Sequence, residues 1–225
     1  MKLRKLTGAL PYLAIVFLNA FVDLGHKITI QNTIFKVYDG DTQVILTAIV
    51  NGLILLPFIL LFSPAGFVAD KYPKSRVIRA AAWVAVLLTL AITFSYYQGW
   101  FWLSFAMTFL LAMQSAFYSP AKYGYIKSLF GKNNLGRANG YVQAVTITAI
   151  LFGTFAFSIL FESWFPVGAT EPATILKTIA PIGWLLVINS LFELILTYRL
   201  PLIEATDSNA KFEWGNYLKG RMASN

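Results

Sequence analysis

Long runs without any Asp, Glu, Lys or Arg are the feature that most constrains what this chain can fold into. Five such runs cover residues 6–22, 42–69, 80–121, 138–161 and 178–192. They are 17, 28, 42, 24 and 15 residues long. A helix needs about 20 apolar residues to cross a bilayer core of about 30 Å. Because the runs approach or exceed this length, the sequence predicts a multi-pass membrane protein.

The 42-residue run is too long for one crossing, and residues 95–100 form a polar turn framed by aromatic side chains. This turn divides the run into two spans. The sequence therefore predicts an all-α protein in which residues 1–200 form a bundle of six membrane helices and residues 201–225 form a cytoplasmic linker or tail. The predicted helices are 8–31, 43–63, 77–97, 100–121, 138–161 and 179–199.

Composition argues against several kinds of chemical site. The chain has no cysteine, which removes disulfides, cysteine-ligated zinc, iron–sulfur clusters and thiol nucleophiles. A phosphate-binding loop, a G-x-S-x-G elbow and a zinc motif are also absent from the sequence. The only histidine, His26, is followed five positions later by Gln31, so the H-x-x-x-x-D signature of acyltransferases is missing. We expect no enzyme activity within these residues, no catalytic residue, no metal and no cofactor.

The basic residues are distributed unevenly along the chain. Lys and Arg number 18 against 10 Asp and Glu, which gives a formal net charge of +8. Fifteen of the 18 precede helix 1, lie in the second or fourth loop, or follow helix 6. This is the positive-inside pattern, so both termini are predicted to be cytoplasmic. The charge therefore indicates topology, and we expect no nucleic-acid partner.

Helix 1 carries a stripe of polar residues, Asn19, Asp23, Lys27 and Gln31, which recur every four residues and so share one face. Ionisable side chains in membrane helices usually face a bundle interior or a wet cavity. We predict that Asn19, Asp23 and Lys27 line a substrate site. In the alternative interpretation, Asp23 and Lys27 only neutralise each other as an ion pair. His26 lies off the stripe and is predicted to be structural.

Helix 4 ends in a polar segment that contains Pro120 and Lys122. A proline there frees a backbone carbonyl, which membrane proteins tolerate mainly where protein or water satisfies it. From spacing alone, Lys122 is most simply an anchor at the inner membrane interface.

The loop between helices 2 and 3 has an ordered pattern of a glycine, an acid four residues later and alternating cations. Asp70 is placed to hold basic side chains or the N-terminus of a helix. We therefore predict a conformational latch on the inner face, formed by Gly66, Asp70, Lys71, Lys74 and Arg76.

This loop resembles the helix 2–3 signature of the major facilitator superfamily, G-x-x-x-D-[RK]-x-G-[RK]-[RK]. The matching positions are Gly66, Asp70, Lys71 and Lys74. Pro73 replaces the second glycine and Ser75 replaces one cation. The resemblance implies two inverted three-helix repeats, here 8–97 and 100–199, which together make the amino-terminal half of a transporter with two six-helix halves. It also implies that a carboxy-terminal half is the missing partner, so we expect a fragment of a longer protein or a truncated product.

Further stretches resemble the bacterial lysophospholipid transporter branch of that superfamily. They are residues 21–23, 118–124, 137–140 and 150–153, of which the run from Ser119 to Gly124 is the most specific. The resemblance implies a protein of the bacterial inner membrane that moves lysophospholipids from the outer to the cytoplasmic leaflet for reacylation, by alternating access. It further implies functional roles for Asp23 and Lys122. Members of this branch also occur fused to a phospholipid acyltransferase and an acyl-carrier-protein synthetase.

Three functions stay open on the sequence. The first is a lysophospholipid transporter half that binds the head group with Asp23 and Lys122 and works in the lipid bilayer. The second is a major facilitator carrier of another small metabolite or drug. The third is a membrane anchor for a fused or associated acyltransferase, without transport of its own.

Overall fold

This computed structural model describes residues 2–208, with side chains over 8–131 and 133–208. Within these residues the α-helices are α1 Lys2–Val37, α2 Gly40–Leu60, α3 Phe62–Lys71, α4 Lys74–Gln98, α5 Phe101–Phe130, α6 Leu135–Trp164, α7 Pro172–Ile179 and α8 Ile182–Thr197, with a 3-10 turn at Lys132–Asn134. The predicted all-α class is confirmed. Residues 209–225 of the predicted tail lie outside the described residues.

Five of these helices, α1, α2, α4, α5 and α6, are long and apolar enough to cross a membrane. In the described part of the chain α7 and α8 supply a sixth span if they are counted together, bent by 54° at the break between them. A bilayer core offers no water to backbone N–H and C=O groups, and a helix satisfies them internally. The chain is a multi-pass membrane protein.

Several helices extend beyond the ends of the predicted spans. Helix α1 continues past residue 31 to Val37, and α5 continues through Pro120 to Phe130. At the end of α1 the charge of Lys36 is balanced by Glu162 on α6, with 2.9 Å between Nζ and Oε2. Charged residues therefore mark the edge of the apolar core without ending the helix.

Helix α1 lies at the centre of the bundle and packs against α5, α6 and α8, while α4 packs against α5 and α8. The buried apolar residues form two main clusters. One includes Val22, Ile30 and Ile34 of α1, and the other includes Tyr12, Ile15 and Val16 of the same helix. Polar residues of α1, α5 and α8 lie between the two clusters. We call this set the polar layer, formed by Asn19 and Asp23 of α1, Gln114 and Ser115 of α5, and Asn189, Ser190 and Glu193 of α8.

Candidate functional site

Asp23 lies near the middle of α1, because the helix runs from before Gly8 to Val37. The 14 residues from Asp23 to Val37 correspond to about 21 Å at the rise of an α-helix. The shorter helix predicted from sequence had placed Asp23 nearer the outer end. Its carboxylate is therefore deep in the bilayer, where a partner has the greatest effect on its stability.

Ser115 of α5 supplies that partner. Its hydroxyl donates a hydrogen bond to Oδ2 of Asp23 at 2.5 Å, and it also lies 3.2 Å from Oε1 of Gln114. The other carboxylate oxygen of Asp23, Oδ1, is buried and has no hydrogen-bond partner. One oxygen of the carboxylate is thus fixed to α5, and the other oxygen has no partner within the protein.

A cavity of about 360 Å³ opens beside this carboxylate. Asp23 and Lys27 both line it, together with His26, Thr108 and apolar residues of α1, α2, α5 and α6. Asp23 and Lys27 are not within ion-pairing distance, since the only ion pair of 4 Å or less among the described residues joins Lys36 and Glu162. The structure therefore does not show the self-neutralising pair, and it leaves an acid and a base facing one cavity.

Lys122 lies seven residues after Ser115 on α5, about 10 Å along the helix. Its side chain is 9% exposed, and Nζ lies 5.7 Å from the ring centroid of Tyr118 and 4.9 Å from that of Tyr123. Its charge is close enough to Asp23 to interact with it electrostatically. Because α5 continues to Phe130 and Lys122 is buried, the side chain is not placed as a simple interface anchor.

Asn19 is 6% exposed and does not line the cavity that Asp23 and Lys27 share. It lies instead against α8, where it faces Glu193. In the same interface between α1 and α8, Nδ2 of Asn189 donates a hydrogen bond to the backbone oxygen of Leu18 at 2.8 Å. Of the residues predicted for the substrate site, the structure thus brings Asp23, Lys27 and Lys122 into one region and places Asn19 in the interface of α1 with α8.

His26 is fully buried, and both of its ring nitrogens are occupied. Nε2 lies 3.0 Å from the backbone oxygen of Ser104, so Nε2 carries the proton and donates it. Nδ1 therefore accepts from the hydroxyl of Tyr96 at 2.7 Å. These bonds connect α1, α4 and α5, so the geometry is that of a structural histidine.

The predicted latch is spread over α3 and the first turn of α4. The Asp70 side chain is exposed and makes no ion pair within the described residues, and α4 has no side-chain cap. The backbone oxygen of Asp70 accepts from the amides of Thr206 and Asp207, both at 3.1 Å. Lys71 lies over the ring of Phe67, with 5.2 Å between Nζ and the ring centroid. In this conformation the loop is held mainly by the segment after α8.

Lys74 makes the same connection with its side chain, because Nζ donates to the hydroxyl of Thr206. The side chain is 5% exposed and crosses α5 directly over Gly124, where a Cβ atom would overlap its Cε. The last glycine of the Ser119–Gly124 run therefore makes room for a lysine of the loop. Sequence reasoning did not find this pairing, since nothing in either segment indicates the other.

A larger groove of about 580 Å³ lies elsewhere, between α3, α4 and α5. Its lining is almost entirely apolar, with Gln114 on α5 and Arg76 of the predicted latch as its polar members. Neither Asp23 nor Lys122 lines it. Gly66 of the latch has open space around it, since a Cβ there would meet nothing within 4 Å.

Residues 12–216 match the family model described as Major Facilitator Superfamily. The chain belongs to the major facilitator superfamily. This confirms the resemblance of the loop around Asp70, and it agrees with the helical bundle of apolar spans.

Among major facilitator proteins, this chain is similar to proteins named Lysophospholipid transporter LplT. It is 32% identical to the Citrobacter koseri protein over 164 residues, which is 72% of this chain and 38% of the relative. It is 34% identical to the Serratia proteamaculans protein over 131 residues, 58% of this chain and 30% of the relative. The Enterobacter sp. protein is 37% identical over 102 residues, 45% of this chain and 24% of the relative. These matches confirm the resemblance to the lysophospholipid branch, over less than two fifths of each relative's length.

Proposed function

We propose that this major facilitator chain is half of a lysophospholipid transporter that moves its substrate from the outer to the cytoplasmic leaflet of the bacterial inner membrane. The observation that carries the proposal is the Asp23 carboxylate, held by Ser115 on one oxygen and free on the other beside a membrane-embedded cavity. The names of the similar proteins supply the substrate class. Transport, and not catalysis, is the function proposed for these residues.

The arrangement of charges suits a zwitterionic head group. In lysophosphatidylethanolamine an ammonium and a phosphate are a few bonds apart, so an acid and a base in one region bind both. The ammonium is proposed to pair with the free oxygen of Asp23, and the phosphate with Lys27 and then Lys122. Lys27 is one helical turn towards the outer side in the predicted orientation, and Lys122 lies towards the inner side. The two lysines would thus meet the phosphate in succession as access alternates.

A second six-helix bundle is proposed to close the cavity from the opposite side. Asp23 and Lys27 line a cavity that is open on the surface of this bundle, and an ion pair or head group there needs shielding from lipid. In major facilitator transporters the substrate site lies between the two halves. We also propose that both termini are cytoplasmic, and that the loop around Asp70 biases the two access states. A fused or associated acyltransferase, which would reacylate the product, is a further proposal that rests on the resemblance.

The experiment that tests the substrate class is uptake into proteoliposomes. The purified protein is reconstituted with its second half, and entry of labelled lysophosphatidylethanolamine is compared with entry of diacyl phosphatidylethanolamine, free fatty acid and glycerophosphoethanolamine. We expect uptake of the lysolipid alone, because the site provides charges for the head group and the bilayer provides the environment for one acyl chain.

Two outcomes would contradict the proposal. Uptake of glycerophosphoethanolamine at the same rate as the lysolipid would indicate a carrier of soluble metabolites. Uptake of none of these compounds, by protein that is folded and inserted, would favour the membrane-anchor alternative. Empty liposomes and liposomes with an unrelated membrane protein serve as controls for spontaneous lipid movement.

A further inference from the structure

Glu193 is a buried acid in the polar layer, and it has no role in the proposed transport site. It lies on α8 with 0% of its side chain exposed, and neither carboxylate oxygen has a hydrogen-bond partner. The hydroxyl of Ser190, one turn away on the same helix, is also buried and without a partner. An ionised carboxylate that is buried with no counter-charge is very costly, and such a group takes up a proton or a cation instead.

The groups around Glu193 do not supply a counter-charge. From α1, Asp23 is close enough to repel it, and Asn19 is a neutral amide that interacts with its carboxylate without supplying a charge. From α5, the buried hydroxyl of Tyr118 faces it and has no hydrogen-bond partner. From α4, the cation near this end of α8 is Arg79, whose guanidinium donates to the backbone oxygen of Thr197 at 3.3 Å and lies 4.2 Å from the ring centroid of Tyr198.

Asp23 has compensating lysines in its region, since Lys122 interacts with it electrostatically and Lys27 lines the same cavity. Glu193 has no cation within ion-pairing distance among the described residues, so its own carboxylate requires one positive charge. Within the described residues no group of three or more His, Cys, Asp or Glu side chains could hold a metal ion, and the Glu193 side chain has no exposed surface for a hydrated ion. A proton is the cation that fits.

We propose that Glu193 binds a proton in the conformation described here and releases it when α1 and α8 separate during the transport cycle. The proton comes from bulk water, adds to the carboxylate as a neutral carboxyl, and returns to water when the side chain becomes hydrated. The polar layer then carries a charge that differs between access states. Binding of the proton stands on the burial and contacts of Glu193 alone, whereas its effect on transport rests on the proposed function.

Infrared spectroscopy of the purified protein in lipid nanodiscs tests the binding directly. A protonated carboxylic acid has a carbonyl stretching band that is separate from the bands of carboxylates and amides. We expect this band in the wild type at neutral pH, its loss in Glu193→Gln, and its retention in Asp23→Asn. Glu162→Gln is the matched control, because Glu162 is paired with Lys36 at an exposed position and is expected to be ionised. If Glu193→Gln fails to accumulate, Glu193→Met replaces it, since an apolar side chain of similar size suits a buried neutral group.

Retention of the band in Glu193→Gln, or its loss in Asp23→Asn with Glu193 intact, would overturn the proposal, because the proton would then reside elsewhere. The absence of a carboxyl band from the wild type would overturn it as well. Each result is independent of whether lysolipid is transported.

The effect on transport is measured as lysolipid uptake at a series of pH values. We expect the wild-type rate to change by up to about tenfold per pH unit where exchange of one proton limits the cycle. Glu193→Gln should be independent of pH over the same range, and Glu162→Gln should behave as the wild type. A pH response that survives in Glu193→Gln contradicts the coupling. A response to sodium at constant pH that Glu193→Gln removes contradicts the assignment of the cation as a proton. If the infrared band is present but the wild type moves no lysolipid, the proposed function fails and the proton site stands.

Discussion

Replacing Gly25 by alanine should destabilise the bundle, because α1 packs tightly against α6 and α8 at this residue. A Cβ atom at position 25 would lie 2.5 Å from two ring carbons of Phe157 and 2.9 Å from Cδ2 of Leu186. Both neighbours are fully buried, so neither ring nor methyl group has free space to move into. Gly25 is also located between Asp23 and Lys27, so the close approach positions the polar stripe of α1.

The size of the effect follows from two opposing contributions. Overpacking a well-packed interior by one methyl group costs about 1–3 kcal/mol. Alanine recovers about 0.5–1 kcal/mol because it is the better helix former. The net loss for Gly25→Ala is therefore up to about 2.5 kcal/mol. For a chain of this size such a loss lowers Tm by up to about 10 °C.

Thermal unfolding of the purified protein in detergent measures this, with Gly140→Ala as the matched control. Gly140 is an exposed helical glycine of α6, and a Cβ there would meet nothing within 4 Å. The control gains the helix contribution alone, so its Tm should equal or exceed that of the wild type. A Tm for Gly25→Ala that is not below that of Gly140→Ala would refute the close packing of α1 on α6 and α8.

Three further predictions concern topology, His26 and Asp70. Because the chain has no native cysteine, single cysteines at exposed positions report the orientation. Cysteines at Asp39 and Gln98 are expected to be labelled from outside. Cysteines at Arg76 and Asn133 are expected to be labelled only from inside. The reverse labelling pattern in intact cells would overturn the predicted orientation. His26→Ala leaves the buried hydroxyl of Tyr96 without its acceptor, at about 1–3 kcal/mol, so protein abundance should fall while transport per molecule is kept. Loss of transport at normal abundance would instead place His26 in the site. Asp70→Asn should slow lysolipid uptake without reducing membrane insertion. The carboxylate of Asp70 makes no ion pair in this conformation and is proposed to act in the other access state. An uptake rate equal to that of the exposed control Asp41→Asn would contradict a latch function of this loop.

The membrane class and the all-α fold follow from local sequence. Uncharged runs of sufficient length must be helical in a bilayer, and this requirement holds whatever the tertiary contacts are. Helix ends were harder to place, because an uncharged run stops at a charge while the helix can continue. The predicted helix 4 ends at residue 121, before Lys122, whereas α5 continues through Pro120 and Lys122 to Phe130.

The candidate site was predictable in part. Asp23 and Lys27 share a helix face by spacing, and the structure places both on one cavity. Their relationship was not predictable, since it depends on Ser115 from another helix, whose hydroxyl holds the carboxylate. Glu193 carried no signal beyond being an acid in an apolar run. Its burial without partners becomes visible only when α1, α4 and α8 are assembled.

The central claim is that Asp23 and Lys122 bind the head group of a lysophospholipid, and uptake by neutralised variants tests it most directly. Initial rates of lysophosphatidylethanolamine uptake, normalised to the amount of inserted protein, are measured for Asp23→Asn and Lys122→Met. The controls are Asp41→Asn and Lys127→Met, which neutralise exposed residues of α2 and α5. Each lost charge-assisted bond is worth about 1.5–3 kcal/mol, or about 10- to 150-fold in affinity. We expect both site variants to lose at least tenfold, Asp23→Asn more than Lys122→Met because a phosphate retains Lys27, and both controls to transport as the wild type. Wild-type rates in both site variants at normal abundance would contradict the account.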